Sequence, residues 1–379
     1  MQYKNNDFKI PIISFFTGGG FLDMGFEKAG FEITYTNEND KDFAKFYSEG
    51  MSNWAGKNRE ISSTDSITNI SNNEIKSQIK SDLFGVIGGP PCQDFSIRGS
   101  KAGFEGIRGT LTFHFYEKIM DLKPTFFLME NVPGLVLLNK TKKHFYSLLD
   151  LFREEYFISD KALNSLHYGV PQSRERLFIF GIRKAFINNH ELNSLNNSWF
   201  PWPIPLYPNA ETSFNWSEPK SRYKKNDLPT PPTELCVISV IEEQDESGSN
   251  NIPNMNEYFN LRKPEKIKKI EEGDTYRPSF KKLHRNKYSP TACYGNNEVH
   301  LHPYLNRRIS VRESLRIQGV SDNYIINSPG KLSKKFKMIG NGVPVPLAYH
   351  IASSIKDFII SNFLDKEKLN GYLVKGEKK

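Results

Sequence analysis

Short apolar runs constrain this chain more than any other feature. IPIISFF (residues 10–16), FEITYT (31–36), LFGVIGG (83–89), TFFLMEN (125–131) and RLFIFGIR (176–183) all have the length and character of strands buried in a sheet. Segments with helical spacing alternate with them. These are FLDMGFEKA (21–29), closed by Gly30, FHFYEKIMDL (113–122), broken by Pro124, and HFYSLLDLFREEY (144–156). Such alternation predicts an α/β fold built on a mostly parallel sheet.

The pattern then changes. WFPWPIPLYP and LPTPPTE, within residues 199–234, are rich in proline and aromatics, and QDESGSNNIPNMN (244–256) is polar and turn-forming. KPEKIKKIEE (263–272) reads as a charge-rich helix. Order returns at RRISVRESLRIQG (307–319), and IGNGVPVPLAYHIASSIKDFI (339–359) reads as a turn followed by an amphipathic helix. The 379 residues therefore divide into a sheet domain, 1–183 plus 305–379, and an irregular module, 184–304.

Against 51 basic residues stand 43 acidic ones, a net charge of +8 that favours a polyanionic partner. The three cysteines, Cys92, Cys236 and Cys293, have no metal-ligand spacing and no even count to pair, so neither a metal nor a disulfide framework is expected. The first residues, MQYKNNDFKI, lack the apolar core of a signal peptide, and no run is long enough to span a membrane. A cytoplasmic protein with no membrane contact is the expectation.

Two glycine-rich turns carry the chemistry. Thr17-Gly18-Gly19-Gly20 follows the first strand and opens a helix, where backbone meets ligand closely. The dinucleotide fingerprint G-x-G-x-x-G fits Gly18 and Gly20, but Asp23 takes the third place. That substitution disfavours a pyrophosphate and suits a ligand bearing positive charge. Glu38, twenty residues after Gly18, stands where an acid grips ribose hydroxyls, and Asp65 ends a further segment near the same crevice. A nucleoside without pyrophosphate points to S-adenosyl-L-methionine. A tight strand–helix connection with no ligand is the alternative.

The second turn, GGPPCQDFS (88–96), puts Cys92 at the end of a buried strand, behind residues that restrict or free the backbone in unusual ways. The turn resembles a mount for a nucleophile, which needs a nearby cation to form its thiolate. Arg98, Arg108, Arg174 and Arg176 are the candidates. Glu130 ends the next parallel strand, so it is expected beside Cys92. A carboxyl in apolar surroundings there keeps its proton and can donate it. In Gln172-x-Arg174-x-Arg176 the alternation puts both arginines on one face of a strand.

Taken in order, these motifs resemble the cytosine-C5 DNA methyltransferases of bacterial restriction–modification systems, over nearly the whole chain. FFTGGGFLDMGF resembles the family's S-adenosylmethionine loop, GGPPCQDFS its nucleophile loop and RGTL (108–111) the motif that follows. MENVPGL (129–135), YGVPQSRERLFIFG (168–181), RRISVRESLRIQG and IGNGVPVPLA (339–348) resemble its later motifs. The resemblance implies a class I, Rossmann-like methyltransferase fold, with residues 184–304 as a target recognition domain. It also implies methyl transfer from S-adenosyl-L-methionine to C5 of a flipped-out cytosine in double-stranded DNA, leaving S-adenosyl-L-homocysteine.

By the same resemblance, Cys92 attacks C6, Glu130 holds N3 and the exocyclic amine, Arg174 holds O2 and Arg176 supports Glu130. Phe16, Thr17, Gly18, Gly20, Glu38, Asn39, Asp65, Ser66, Pro90, Asn341 and Val343 would hold the cofactor. Gln93, Ser96 and Arg98 would meet DNA around the flipped base. Lys281, Lys282 and Arg285, part of a basic run, would meet phosphates. A monomer is expected, paired genetically but not physically with a restriction endonuclease. Phe21 departs from the family, which usually has glycine there, and should alter the cofactor loop's fit. Asn39 stands where a bulkier residue is common. Two other readings remain: a tRNA cytosine-C5 methyltransferase, which needs less base-reading apparatus, and an inactive DNA-binding homologue, which would not need Cys92, Glu130, Arg174 and Arg176.

Overall fold

The computed structural model describes residues 9–91, 110–137, 139–187, 199–241, 252–261, 264–291, 294 and 300–362. Its centre is a six-stranded sheet formed by β1 (Pro11–Phe15), β2 (Glu32–Asn37), β3 (Gly85–Gly88), β4 (Phe126–Asn131), β5 (Tyr156–Asn164) and β6 (Glu175–Arg183), in the order β2-β1-β3-β4-β6-β5. The first four strands are parallel, and β6 runs antiparallel to both β4 and β5. The sheet is mostly parallel, as its apolar runs require: side chains alternate between two buried faces. Phe126 and Leu128 face one core with Ile12 and Ile87, whereas Phe127 and Met129 face the other with Ile13 and Val86.

Helices cover both faces. α1 (Phe21–Lys28) and α8 (Val345–Asn362) pack on the first core, and α4 (Leu111–Leu122) and α5 (Asn139–Phe152) on the second. α2 (Lys41–Ala55), α6 (Val311–Ile317) and α7 (Leu332–Asn341) enclose a third core, while α3 (Asn72–Ser77) is a short helix whose Ile75 faces the second.

Three elements differ from the sequence reading. The helix expected to reach residue 156 ends at Phe152, and Tyr156 begins β5. β5 is an edge strand whose Asp160 and Lys161 can face water, so it never forms an apolar run. α2 was absent from that reading. Yet Phe43, Phe46, Tyr47 and Met51 repeat at helical spacing, and Asp40 caps its start by accepting from the Asp42 and Phe43 N–H groups. The helix expected over 263–272 is a single turn, Pro264–Ile267.

Beyond β6, regular structure is sparse. β7 (Lys281–Lys282) and β8 (His300–Leu301) pair in a small parallel sheet. Composition places the change of character at residue 184. Aromatics just beyond it still dock on the sheet: Phe200 lies in the first core with its ring centroid 4.2 Å from that of Phe180, and Trp199 and Trp202 pack against that core.

Candidate active site

β1, β3 and β4 end at one edge of the sheet, and antiparallel β6 begins there, with Asn131 opposite Leu177 and Glu130 opposite Phe178. Arg176 thereby reaches Glu130, its Nε 3.1 Å from Oε1. Burial pushes the Glu130 carboxyl above the usual range, against the pull of Arg176 and Arg174. Burial thus favours the protonated form of this carboxyl relative to a solvated one.

The backbone beside it explains the glycines. A Cβ on Gly89 would stand 2.8 Å from Glu130 Oε2, so the carboxyl occupies the space a side chain would fill. The Asn131 side chain, which the sequence reading gave no role, fixes the next residue: its Nδ2 donates to the Pro90 carbonyl at 3.1 Å, and its Oδ1 accepts from Val132 N–H at 2.9 Å. Its only signal in the sequence was its place directly after Glu130. Cys92, Gln93, Ser96, Arg98 and Arg108 lie outside the described residues, as does Cys293. Cys236 is buried, which pushes its thiol up to about 11, away from reactivity.

Arg174 precedes β6 and is fully buried. Its Nη2 donates to the Gly340 carbonyl at 2.7 Å, and its backbone N–H donates to Asn164 Oδ1 at 2.9 Å. Gln172 Nε2 donates to Gln318 Oε1 at 3.2 Å, and Gln318 Nε2 to the Ile339 carbonyl at 2.8 Å. The end of α7, with exposed Asn341, is thus tied to the segment carrying the arginines.

The first glycine turn lies at the end of β1. Phe16, Gly18 and Gly20 have positive φ of 56°, 55° and 78°. Among the described residues nothing stands within 4 Å of the place a Gly18 Cβ would take, so the turn is open on that side. Glu38 faces the turn: its Oε2 accepts from Gly18 N–H at 2.9 Å and its Oε1 from Asp40 N–H at 2.8 Å. Burial raises its pKa against those bonds. Thr17 N–H donates to the Asn37 carbonyl, and Asn37 Nδ2 holds the carbonyls of Ser63 and Asp65. Asn39 and Asp65 are exposed beside it, and Ser66 pairs with Thr68. A left-handed turn open to solvent, an acid beside it and a second acid on the adjoining segment fit a nucleoside-bearing cofactor.

Asp23 does not take the ligand-facing place that its spacing after Gly18 suggests: Ser14 Oγ donates to its Oδ1 at 2.6 Å, the side chain is fully buried, and burial pushes its pKa up to about 7. Phe21 also turns inward, edge-on to Tyr324 with ring centroids 5.6 Å apart, where it fills space left by Gly342. Val343 is buried in the first core, whereas Phe21 packs in the third. The basic run is no uniform charged face, because Lys282 is 8% exposed, in the strand that it shares with Lys281. Arg285 is bound by Glu272 at 2.9 and 3.0 Å and lies over the Tyr304 ring.

Comparison with known proteins agrees with this geometry. The family model for C-5 cytosine-specific DNA methylase matches residues 10–357. The Type II methyltransferase M.NmeDI of Neisseria meningitidis serogroup C is 35% identical, over 96% of this chain and 87% of its own length. M.FnuDI of Fusobacterium nucleatum, also a Type II methyltransferase, is 32% identical over 95% of this chain and 97% of its own. Among solved structures, an E. coli prophage protein described as a DNA modification methyltransferase superposes with a TM-score of 0.64 at 23% identity, covering 93% of this chain and all of the other.

Proposed function

This chain belongs to the C-5 cytosine-specific DNA methylases, and from that premise we propose how its residues divide the work. The enzyme is a DNA cytosine-5 methyltransferase of the class that uses S-adenosyl-L-methionine. The observation that carries the assignment of roles is the Glu130 carboxyl, held by Arg176 against the backbone of Gly89, three residues before Cys92.

Cytosine C5 is too weak a nucleophile to be methylated directly. Attack of the Cys92 thiolate on C6 makes C5 enamine-like. Glu130, whose pKa burial raises, donates a proton to N3 as negative charge develops there, and Arg176 holds the carboxyl in register. Arg174, anchored at the Gly340 carbonyl, holds O2. When bound, S-adenosyl-L-methionine supplies an electrophilic methyl group, which the activated C5 accepts. Loss of the C5 proton and expulsion of the Cys92 thiolate restore the ring. A stacked base cannot enter this site, so the cytosine is flipped out of the duplex.

Glu38 holds the ribose hydroxyls, Phe16 and Asp65 the adenine, and Asn341 and Val343 close the methionine end. Thr17, Gly18, Gly20, Asn39, Ser66 and Pro90 complete that wall, and the product is S-adenosyl-L-homocysteine. Residues 184–304 form the target recognition domain, with Lys281, Lys282 and Arg285 on its DNA side, while Gln93, Ser96 and Arg98 meet the strand around the flipped base. The enzyme acts as a monomer on double-stranded DNA in the cytoplasm. It protects host DNA from a restriction endonuclease encoded with it but not bound to it.

The test uses duplexes containing 5-fluorocytosine in many sequence contexts, with S-adenosyl-L-methionine. Fluorine blocks loss from C5, so a protein–DNA adduct that resists denaturation is expected, and Cys92→Ala abolishes it. An adduct on substituted tRNA and on no duplex would move the substrate to RNA. No adduct on either, with DNA binding intact, would overturn the catalytic reading.

A further inference from the structure

The lobe beyond β6 contains a pocket of about 480 Å³ that none of the roles above uses. Ile267 and Ile270 give it an apolar floor, and Lys266 and Arg277 stand among its lining residues. Arg308 enters between two aromatic rings, its guanidinium carbon 5.3 Å from the Phe259 centroid and 5.5 Å from that of Phe280. Arg308 Nε is buried and has no acceptor among the described residues. Among the described residues no Asp or Glu lines the pocket, and the acid paired with Arg277, Asp274, is 3.5 Å from it.

The Arg308 side chain is half-buried, and its buried Nε, without an acceptor among the described residues, belongs to a group that does not lose its charge. Ring faces on both sides compensate in part and fix the plane of the group. What the arrangement lacks is an anion in the pocket, and the apolar floor calls for a flat or apolar part beside that anion. The volume is within the range that seats a small organic ligand.

We propose that this pocket binds a nucleoside phosphate, with the phosphate on Arg308, Lys266 and Arg277 and the sugar or base over Ile267 and Ile270. The source the fold favours is a nucleotide of the DNA substrate flanking the target cytosine, so the proposal rests on the DNA reading above. Arg308 bridges to Leu301 of β8, and the neighbouring His300 meets Ser289. Ser289 in turn bridges to Gln172, two residues before Arg174. The pocket therefore belongs to the framework that abuts the catalytic edge.

The test is binding of a labelled duplex across a salt series, for the wild type, Arg308→Gln and Arg277→Gln. A phosphate contact predicts weaker binding by Arg308→Gln and a slope of log K against log[salt] shallower by about one. Arg277, exposed at its place in the lining, gives the same direction with less risk to folding. Deoxyadenosine monophosphate, titrated with phosphorus NMR, reads the other source. If it binds the wild type and not Arg308→Gln while the DNA slope is unchanged, the pocket takes a free nucleotide. Unchanged slopes with no nucleotide binding would overturn the proposal and leave Arg308 a packing residue. A wild type that binds and methylates no duplex would refute the DNA reading instead, and the nucleotide titration would still judge the pocket.

Discussion

Gly88 and Gly89 lack side chains for different reasons. A Cβ on Gly88 would stand 2.8 Å from the Phe115 ring and 2.9 Å from the Phe15 carbonyl, so that glycine serves sheet and helix packing. On Gly89 the nearest atoms among the described residues all belong to Glu130, Oε2 at 2.8 Å first. Gly89→Ala should therefore displace the Glu130 carboxyl, the proposed proton donor, and leave the strand in place. We expect single-turnover methylation slower by roughly 100-fold, because small misplacements of a catalytic group are costly. The melting temperature should shift by no more than about 4 °C. A variant with the full rate would show that the carboxyl does not need that position. The sequence made Gly-Gly-Pro-Pro conspicuous, but it could not say which glycine faces a carboxyl, because Glu130 arrives from another strand. For the same reason Asp23 was misread: spacing put it in a fingerprint position, and only the packing of Ser14 beneath it shows that it points inward.

Helix α1 follows the first glycine turn, and α8 follows the turn at Gly342. The two helices cross closely: a Cβ on Gly25 would lie 2.4 Å from that of Ala348. This crossing brings the two preceding turns together, although they are over three hundred residues apart in the chain. Phe21 fastens them. A Cβ on Gly342 would come within 2.3 Å of the Phe21 ring. The departure from the family's glycine at 21 therefore acts on packing between the turns rather than on the open side of the cofactor loop. Gly342→Ala should destabilise the enzyme in the wild-type background and less so in Phe21→Gly, which removes the ring. The coupling in a double-mutant cycle, read by thermal melting, should be about 1–3 kcal/mol. Additive effects would mean that the two residues do not meet. At this scale the sequence was legible where an element is buried on both faces, as in β3 and β4. It was not legible where a strand carries charge at the sheet edge, as in β5, or where a helix end depends on a distant partner. Gly340 and Asn341 read as a turn, yet they close α7, whose last carbonyls are taken up by Arg174 and Gln318.

Across the whole molecule, buried carboxyls set opposing pH dependences. Burial raises Asp23 from 3.8 to about 7, with neighbouring Glu27 adding to the shift and Ser14 and Arg59 opposing it. A carboxyl raised on folding favours the folded state while protonated. Its contribution is complete below about pH 4 and is lost as pH climbs to about 7. Glu38 and Glu130 are raised by burial as well and act in the same direction. Glu313 is the counterweight. Burial would raise it, but the two-pronged bond from Arg307, at 2.7 Å on each oxygen, and His302 beside it pull it down to about 2. Its contribution is complete above its unfolded value of about 4.5 and is lost as pH falls toward 2. Burial lowers His284, His302 and His350 as well, and these lose stability as pH falls, so the Asp23 contribution is read by difference. The melting temperature of the wild type relative to Asp23→Asn should fall as pH rises from about 4 to about 7, and the difference should be constant below about pH 4. The acid limb, which belongs in part to Glu313, should stay in place in both proteins. A difference that does not change with pH would mean that Asp23 is ionised in the folded protein, and that the floor beneath the glycine turn presents a negative charge to whatever binds above it.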